Sequence, residues 1–236
     1  MSNEMAILSE KPKYLVDFDE SKARGNEGID ASQLAKPRMK LLQATNPELL
    51  EGSEKYIDGA KSGHFVDILN KKTYGPEFLC INIAVKETFV IENSFNAGGG
   101  FFGTFDKQQD AEDQIESVLK ENKELKAENV AVWRHHEHLL YLADSDMNLS
   151  ATPVLWDLKS SAIKPSKAWN TQIHSQAGHR FSYIWKVKNA TASNGSNTWF
   201  TFATELARGD SGNPLYTPEG LVQNIQEMLD SDGFSF

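Results

Sequence analysis

Residues 78–91 constrain the fold most, because they are rich in β-branched and aromatic side chains and set Leu79, Ile81, Ile83 and Val85 in strict alternation. A period-two pattern of that length predicts a long, half-buried strand. One strand cannot satisfy its own backbone groups, so a sheet has to form around it. Runs of similar character follow at residues 130–142, 154–160, 180–189 and 198–206. Between the third and fourth of these five runs, residues 161–176 have helical spacing, with Ala162, Ile163, Trp169 and Ile173 inward and Pro165 in the first turn. The order predicts a mainly β, α+β domain built on an OB-fold-like five-stranded barrel, with a helix between strands three and four.

The remaining segments attach to that barrel. Residues 96–103, with four glycines and two phenylalanines, read as a loop. Residues 106–126 predict a helical insertion in which Ile115, Val118 and Leu119 form a narrow apolar stripe among eleven charged neighbours. Upstream, Lys36, Arg38 and Lys40 flank a short apolar run that reads as a strand or a positively charged loop, and residues 63–69 read as a short strand and turn. Residues 1–31 lack apolar periodicity and are expected to form a flexible arm. The binding domain is expected over residues 32–208, and an acidic helix and tail over residues 209–236, with an amphipathic helix at 218–229.

Composition narrows the function classes. A 39% hydrophobic content supports a real core, and the single cysteine, Cys80, excludes an intramolecular disulfide. No apolar run approaches the roughly 18 residues of a membrane span, and the N terminus lacks an export-signal pattern, so a reducing cytoplasm is expected. The net charge of −9 hides a division: residues 130–208 hold eight Lys/Arg against five Asp/Glu, while residues 209–236 hold five acids and no Lys or Arg. Phosphate responds to the local field rather than to total charge.

The hairpin of residues 180–206 gives the sharpest local reading. With Asn194-Gly195 as a two-residue turn, Lys188 would lie opposite Thr201, Lys186 opposite Ala203 and Trp199 opposite Ala190. One face then holds Phe181, Tyr183, Trp185, Val187, Phe200, Phe202 and Leu206 as core. The other face holds Ile184, Lys186, Lys188, Trp199 and Thr201. An aromatic ring between lysines can stack a base while the ammonium groups hold phosphates; the alternative is that Trp199 packs beneath another element. Lys159, followed by Lys164 and Lys167, extends this basic surface or simply solvates it. Arg134, Lys86, Arg38 and Lys40 are further candidate phosphate contacts.

The histidine run 134–138 sets His136 and His138 on one strand face with Arg134. Zinc generally takes three or four protein ligands, and neither the other histidines nor Cys80 has ligand spacing, so no metal is expected. The glycine-rich loop lacks the Gly-Lys-Ser/Thr ending of a phosphate-binding loop, no nucleophile elbow is present, and no motif calls for a cofactor. The expectation is a non-enzymatic protein.

The chain ends Asp230-Ser231-Asp232-Gly233-Phe234-Ser235-Phe236. This ending, the strand order over residues 78–206, and the segments 37–43 and 160–164 resemble phage-encoded single-stranded DNA-binding proteins, which join an OB-fold to an acidic, Phe-ending C terminus. The resemblance implies coating of single-stranded DNA in replication, recombination or repair. It also implies docking of replication or recombination proteins through Asp230, Asp232, Phe234 and Phe236. The tail is more thinly acidic than in that family. A viral assembly protein and a metal-dependent nuclease or hydrolase are the alternatives, and a homo-oligomer remains open.

Overall fold

The computed structural model describes residues 35–143, 149–150 and 152–230, so the expected arm at residues 1–31 and the tail residues Asp232, Phe234 and Phe236 lie outside the described residues. From Lys36 onward the chain forms one unit. Its strands are β1 (Arg38–Leu41), β2 (Phe65–Asp67), β3 (Lys72–Gly75), β4 (Glu77–Asn93), β5 (Phe101–Phe105), β6 (Val130–Ala143), β7 (Val154–Lys159), β8 (Ile184–Ser193) and β9 (Thr198–Leu206). The α-helices are α1 (Gln108–Glu121), α2 (Ile163–His174) and α3 (Glu219–Asp230).

These strands form one nine-stranded sheet in the order β3-β2-β1-β7-β6-β4-β8-β9, with β5 also paired to β4. The sheet curls through about 270° as a half-barrel, which corrects the expected five-stranded OB barrel. Helix α2 does separate β7 from β8, but β5 is an additional strand between the first two of the five expected. Pairing departs from the barrel in two places. First, β1 joins β7 in parallel and carries β2 and β3 with it. Second, the long β4 shares one edge between β8, against residues 77–81, and β5, against residues 89–92. The supposed loop at 96–103 therefore runs into a strand.

Curvature sets an inner and an outer side. Phe65 of β2 and Phe78 of β4 belong to strands far apart in sheet order, yet their rings meet edge to face with centroids 4.9 Å apart. The inner core gathers Met39, Leu140, Trp156, Trp185, Val187 and Phe202, with Trp169 and Ile173 of α2 laid across it. Such aromatic pairs add about 0.5–1.5 kcal/mol each beyond the area they bury. Helix α1 covers the inner side farther along β4 and β6, over Phe89, Ile91 and Val130. On the outer side, the expected C-terminal helix is α3, which lays Ile225, Leu221 and Val222 on Ile81, Leu139 and Ile184.

Where the curl stops short of closure, the end beyond β1 meets the edge strand β9. Gln43 holds the backbone of Phe200 through two hydrogen bonds, donating Nε2–H to its carbonyl at 2.9 Å and accepting its N–H at 2.8 Å. Gly63 approaches beside it with φ of +81°, and a Cβ there would stand 2.8 Å from Asn189 Nδ2 and from the Phe200 ring. Only glycine fits both the conformation and the space.

Candidate nucleic-acid interface

Paired residues share a sheet face, so the register assigns each candidate a side. In β8 and β9 the two expected faces hold, but Phe181, just before β8, joins Ile184 in the outer cluster instead of the Trp185 face, and the register is two residues from the one expected. Lys188 lies opposite Ala203, Lys186 opposite Glu205 and Trp199 opposite Ala192. The cause is the connection, which spans Asn194 to Asn197, with Asn194 Oδ1 accepting the N–H groups of Ser196 and Asn197. Lys186 and Lys188 pair with Leu79 and Glu77 of β4, and so face outward with the α3 side.

A β-bulge decides Lys86. The β4–β6 register shifts between Asn82 and Ala84, so the expected alternation breaks: Leu79 and Ile81 point outward, whereas Val85 sits opposite the inward His138. The extra residue turns Lys86, Thr88, Val90 and Glu92 to the outer side. Lys159 shares that side through its partner His135, and Arg38 through Leu155, opposite Leu139. Lys40 lies two residues beyond Arg38 on the same face. Every expected DNA-contacting residue thus shares the outer side except Arg134, which faces inward, pairs with Glu87 and lies over the Phe89 ring.

Carboxylates accompany these cations. Lys188 Nζ is 2.6 Å from Glu205, Lys40 2.7 Å from Glu48, Lys86 2.9 Å from Asp106, Lys159 2.7 Å from Glu92 and Lys186 3.7 Å from Glu77. Its hydrogen bond to Glu205 raises the Lys188 pKa and lowers that of Glu205. Arg38 acts on Glu137, whose pKa is nevertheless raised, first by burial and then by Asp157. The pairs made by the exposed carboxylates of Glu205, Asp106 and Glu77 contribute about 0–1 kcal/mol each, so a phosphate can replace those carboxylates at little cost, whereas Glu48 is buried and Glu92 largely so.

Trp199 is half-buried, and its indole Nε1 is shut off from solvent without a hydrogen-bond partner. The freely offered rings on the outer side are instead Phe101 of β5 and Trp133 of β6, 65% and 39% exposed. Neither ring stands out in the sequence, since the glycines hide β5 and Trp133 lies beside the more conspicuous histidines. Trp169, expected inward, is buried, and so is Trp156.

The histidine run divides between the two sides. Arg180 donates to Asn82 Oδ1 at 3.2 Å and to Asn170 Oδ1 at 2.9 Å, which fixes the Asn82 amide with Nδ2 toward His138. His138 Nδ1 accepts from Asn82 at 2.9 Å, and its Nε2–H donates to Ser166 Oγ at 2.8 Å. Ser166 then donates to His136 Nδ1 at 2.7 Å, and His136 Nε2–H donates to Glu87 at 3.1 Å. This assignment satisfies each ring with a single proton. Burial, helped by Arg180 and His136, lowers the His138 pKa to about 3, and burial lowers that of Arg180 to about 10, so His138 is neutral and Arg180 charged at neutral pH. Ser166 is fully buried, so this chain fastens α2 to the sheet rather than presenting a nucleophile. Among the described residues, no group of three or more His, Cys, Asp or Glu is arranged to hold a metal ion.

Residues 3–225 match the model of the Pam3 phage gp34-like protein family. The chain belongs to that family. The family match takes in every strand of the sheet and all the candidate cations, and it ends before Asp230. No curated protein and no solved structure gives a significant match. Among the described residues, no helix is long and apolar enough to cross a membrane.

Proposed function

We propose that this phage-family chain is a non-enzymatic single-stranded DNA-binding protein that works in the host cytoplasm during phage replication, recombination or repair. The observation that carries the reading is the shared outer side of Arg38, Lys40, Lys86, Lys159, Lys186 and Lys188, drawn from strands β1, β4, β7 and β8. Phosphates replace the exposed carboxylates on these cations, and aromatic rings on the same side take bases. Asp230, exposed at the end of α3, begins the acidic ending expected to dock replication or recombination proteins.

Reversing Lys86, Lys186 and Lys188 together to Glu should weaken binding of an oligo-dT strand by at least about tenfold at low salt. Full affinity in a folded triple variant would overturn the reading. The local pairing of cations with carboxylates favours a second reading, a phage assembly protein whose charged outer side meets protein. That reading expects the triple variant to lose a protein complex while DNA affinity is absent from the start.

A further inference from the structure

Two exposed aromatic rings, Phe101 and Trp133, meet in one open groove of about 520 Å³ at the opposite end of the outer side from Lys186 and Lys188. Glu92, Gly100, Lys159 and Ser160 are among the other residues that line it. We propose that this groove holds one unstacked base of a single-stranded nucleic acid against Phe101 and Trp133, with the adjoining phosphate on Lys159. The inference rests on the single-strand reading and assigns it a base subsite other than Trp199.

The chemistry of the groove suits a nucleobase rather than an aliphatic ligand. A base offers two π faces to the rings and a polar edge bearing N–H donors. Asn93 is only 6% exposed, and its Nδ2 donates to the carbonyls of Ala97 and Gly99, at 2.8 and 3.1 Å, while its Oδ1 has no donor at all. Its side chain points to the inner side with Val130, so Asn93 anchors the glycine-rich loop behind the groove and leaves the base edge to solvent. Gly98, Gly99 and Gly100, with φ of +96°, +68° and +142°, supply the left-handed turns that bring the chain from Asn93 back to Phe101.

The cation is suitably placed. Lys159 is half-exposed and held by Glu92, and the exposed side of its ammonium group is open to a phosphate. Ser160 next to it has φ of +54°, a left-handed conformation that a non-glycine residue keeps only when its surroundings hold it there. That constraint fixes the chain direction immediately after Lys159.

The test measures binding of the full chain to a labelled oligo-dT strand and to an abasic strand of the same length, by fluorescence anisotropy. Phe101→Ala and Trp133→Ala should each weaken oligo-dT binding by roughly five- to hundredfold, the loss of one stacked base, and leave the abasic strand unaffected. Wild-type binding of oligo-dT with undiminished affinity in both variants, or an equal loss on both strands, would overturn the inference and leave the single-strand reading intact. A wild-type chain that binds neither strand removes both. Phe101 is so exposed that its replacement tests the proposal even if Trp133→Ala fails to fold.

Discussion

On the inner side of the sheet, Ser166, His136, His138, Asn82 and Arg180 form one chain of hydrogen bonds whose members define each other's proton positions. On the outer side, charges are many and their partners exchangeable, as with Lys188 and Glu205 or Lys86 and Asp106, both held at the surface. The same strands carry both arrangements, because alternation along β4, β6 and β8 sends successive side chains to opposite sides. A buried polar group is stabilising only when its partner is permanent, whereas an exposed ion pair can be given up to a ligand for little. The inner network therefore helps to specify the fold, whereas the exposed outer charges are the groups whose partners can be exchanged.

The largest expected effects come from breaking the inner side. Trp169→Ala removes the ring on which α2 rests, beside His138, Trp156 and Trp185, and should destabilise the protein by about 3–5 kcal/mol, measured by urea unfolding. Gly63→Ala should cost more than about 2 kcal/mol, because the new Cβ clashes with Asn189 and Phe200 in a backbone conformation that disfavours side chains.

Acid sharpens the comparison further. His138 has a pKa of about 3 in the fold against about 6.5 when unfolded. The unfolded chain therefore binds the extra proton between those values, and stability present above about pH 6.5 falls as pH drops toward 3. The slope approaches about 1.4 kcal/mol per pH unit for this one group. His138→Gln should flatten that part of the pH profile, and an unchanged slope would remove His138 from the account. The smallest effect belongs to the outer side, where Glu205→Gln should change stability by less than about 1 kcal/mol while strengthening DNA binding by freeing Lys188.

What could be read from the sequence follows the range of the interactions. The faces of β8 and β9 were legible because period two depends only on neighbours, but their register depended on whether the Asn194 turn used two residues or four. Arg134, His136 and His138 were rightly put on one face. Nothing local indicated that it was the inner one, or that Ser166 would come from α2 to join the two rings. The bulge at Ile83 adds one residue inside the alternating run from Leu79 to Val85, and the clearest alternation in the sequence is the one that changes sides. The parallel pairing of β1 with β7 joins segments more than a hundred residues apart in sequence, and with it the OB expectation failed. The acidic partners of the lysines were hidden for the same reason, since Glu92 meets Lys159 only after the sheet has formed.

The central claim is that the outer cations exchange carboxylate for phosphate, and the salt dependence of oligo-dT binding by the full chain tests it most directly. With roughly five phosphates neutralised, log affinity should fall against log salt with a slope of about −3 to −4, and the slope should become shallower in the Lys86, Lys186 and Lys188 charge-reversal variant. A flat salt dependence, or no binding at low salt, would contradict the claim and favour a protein-facing role for this side of the sheet.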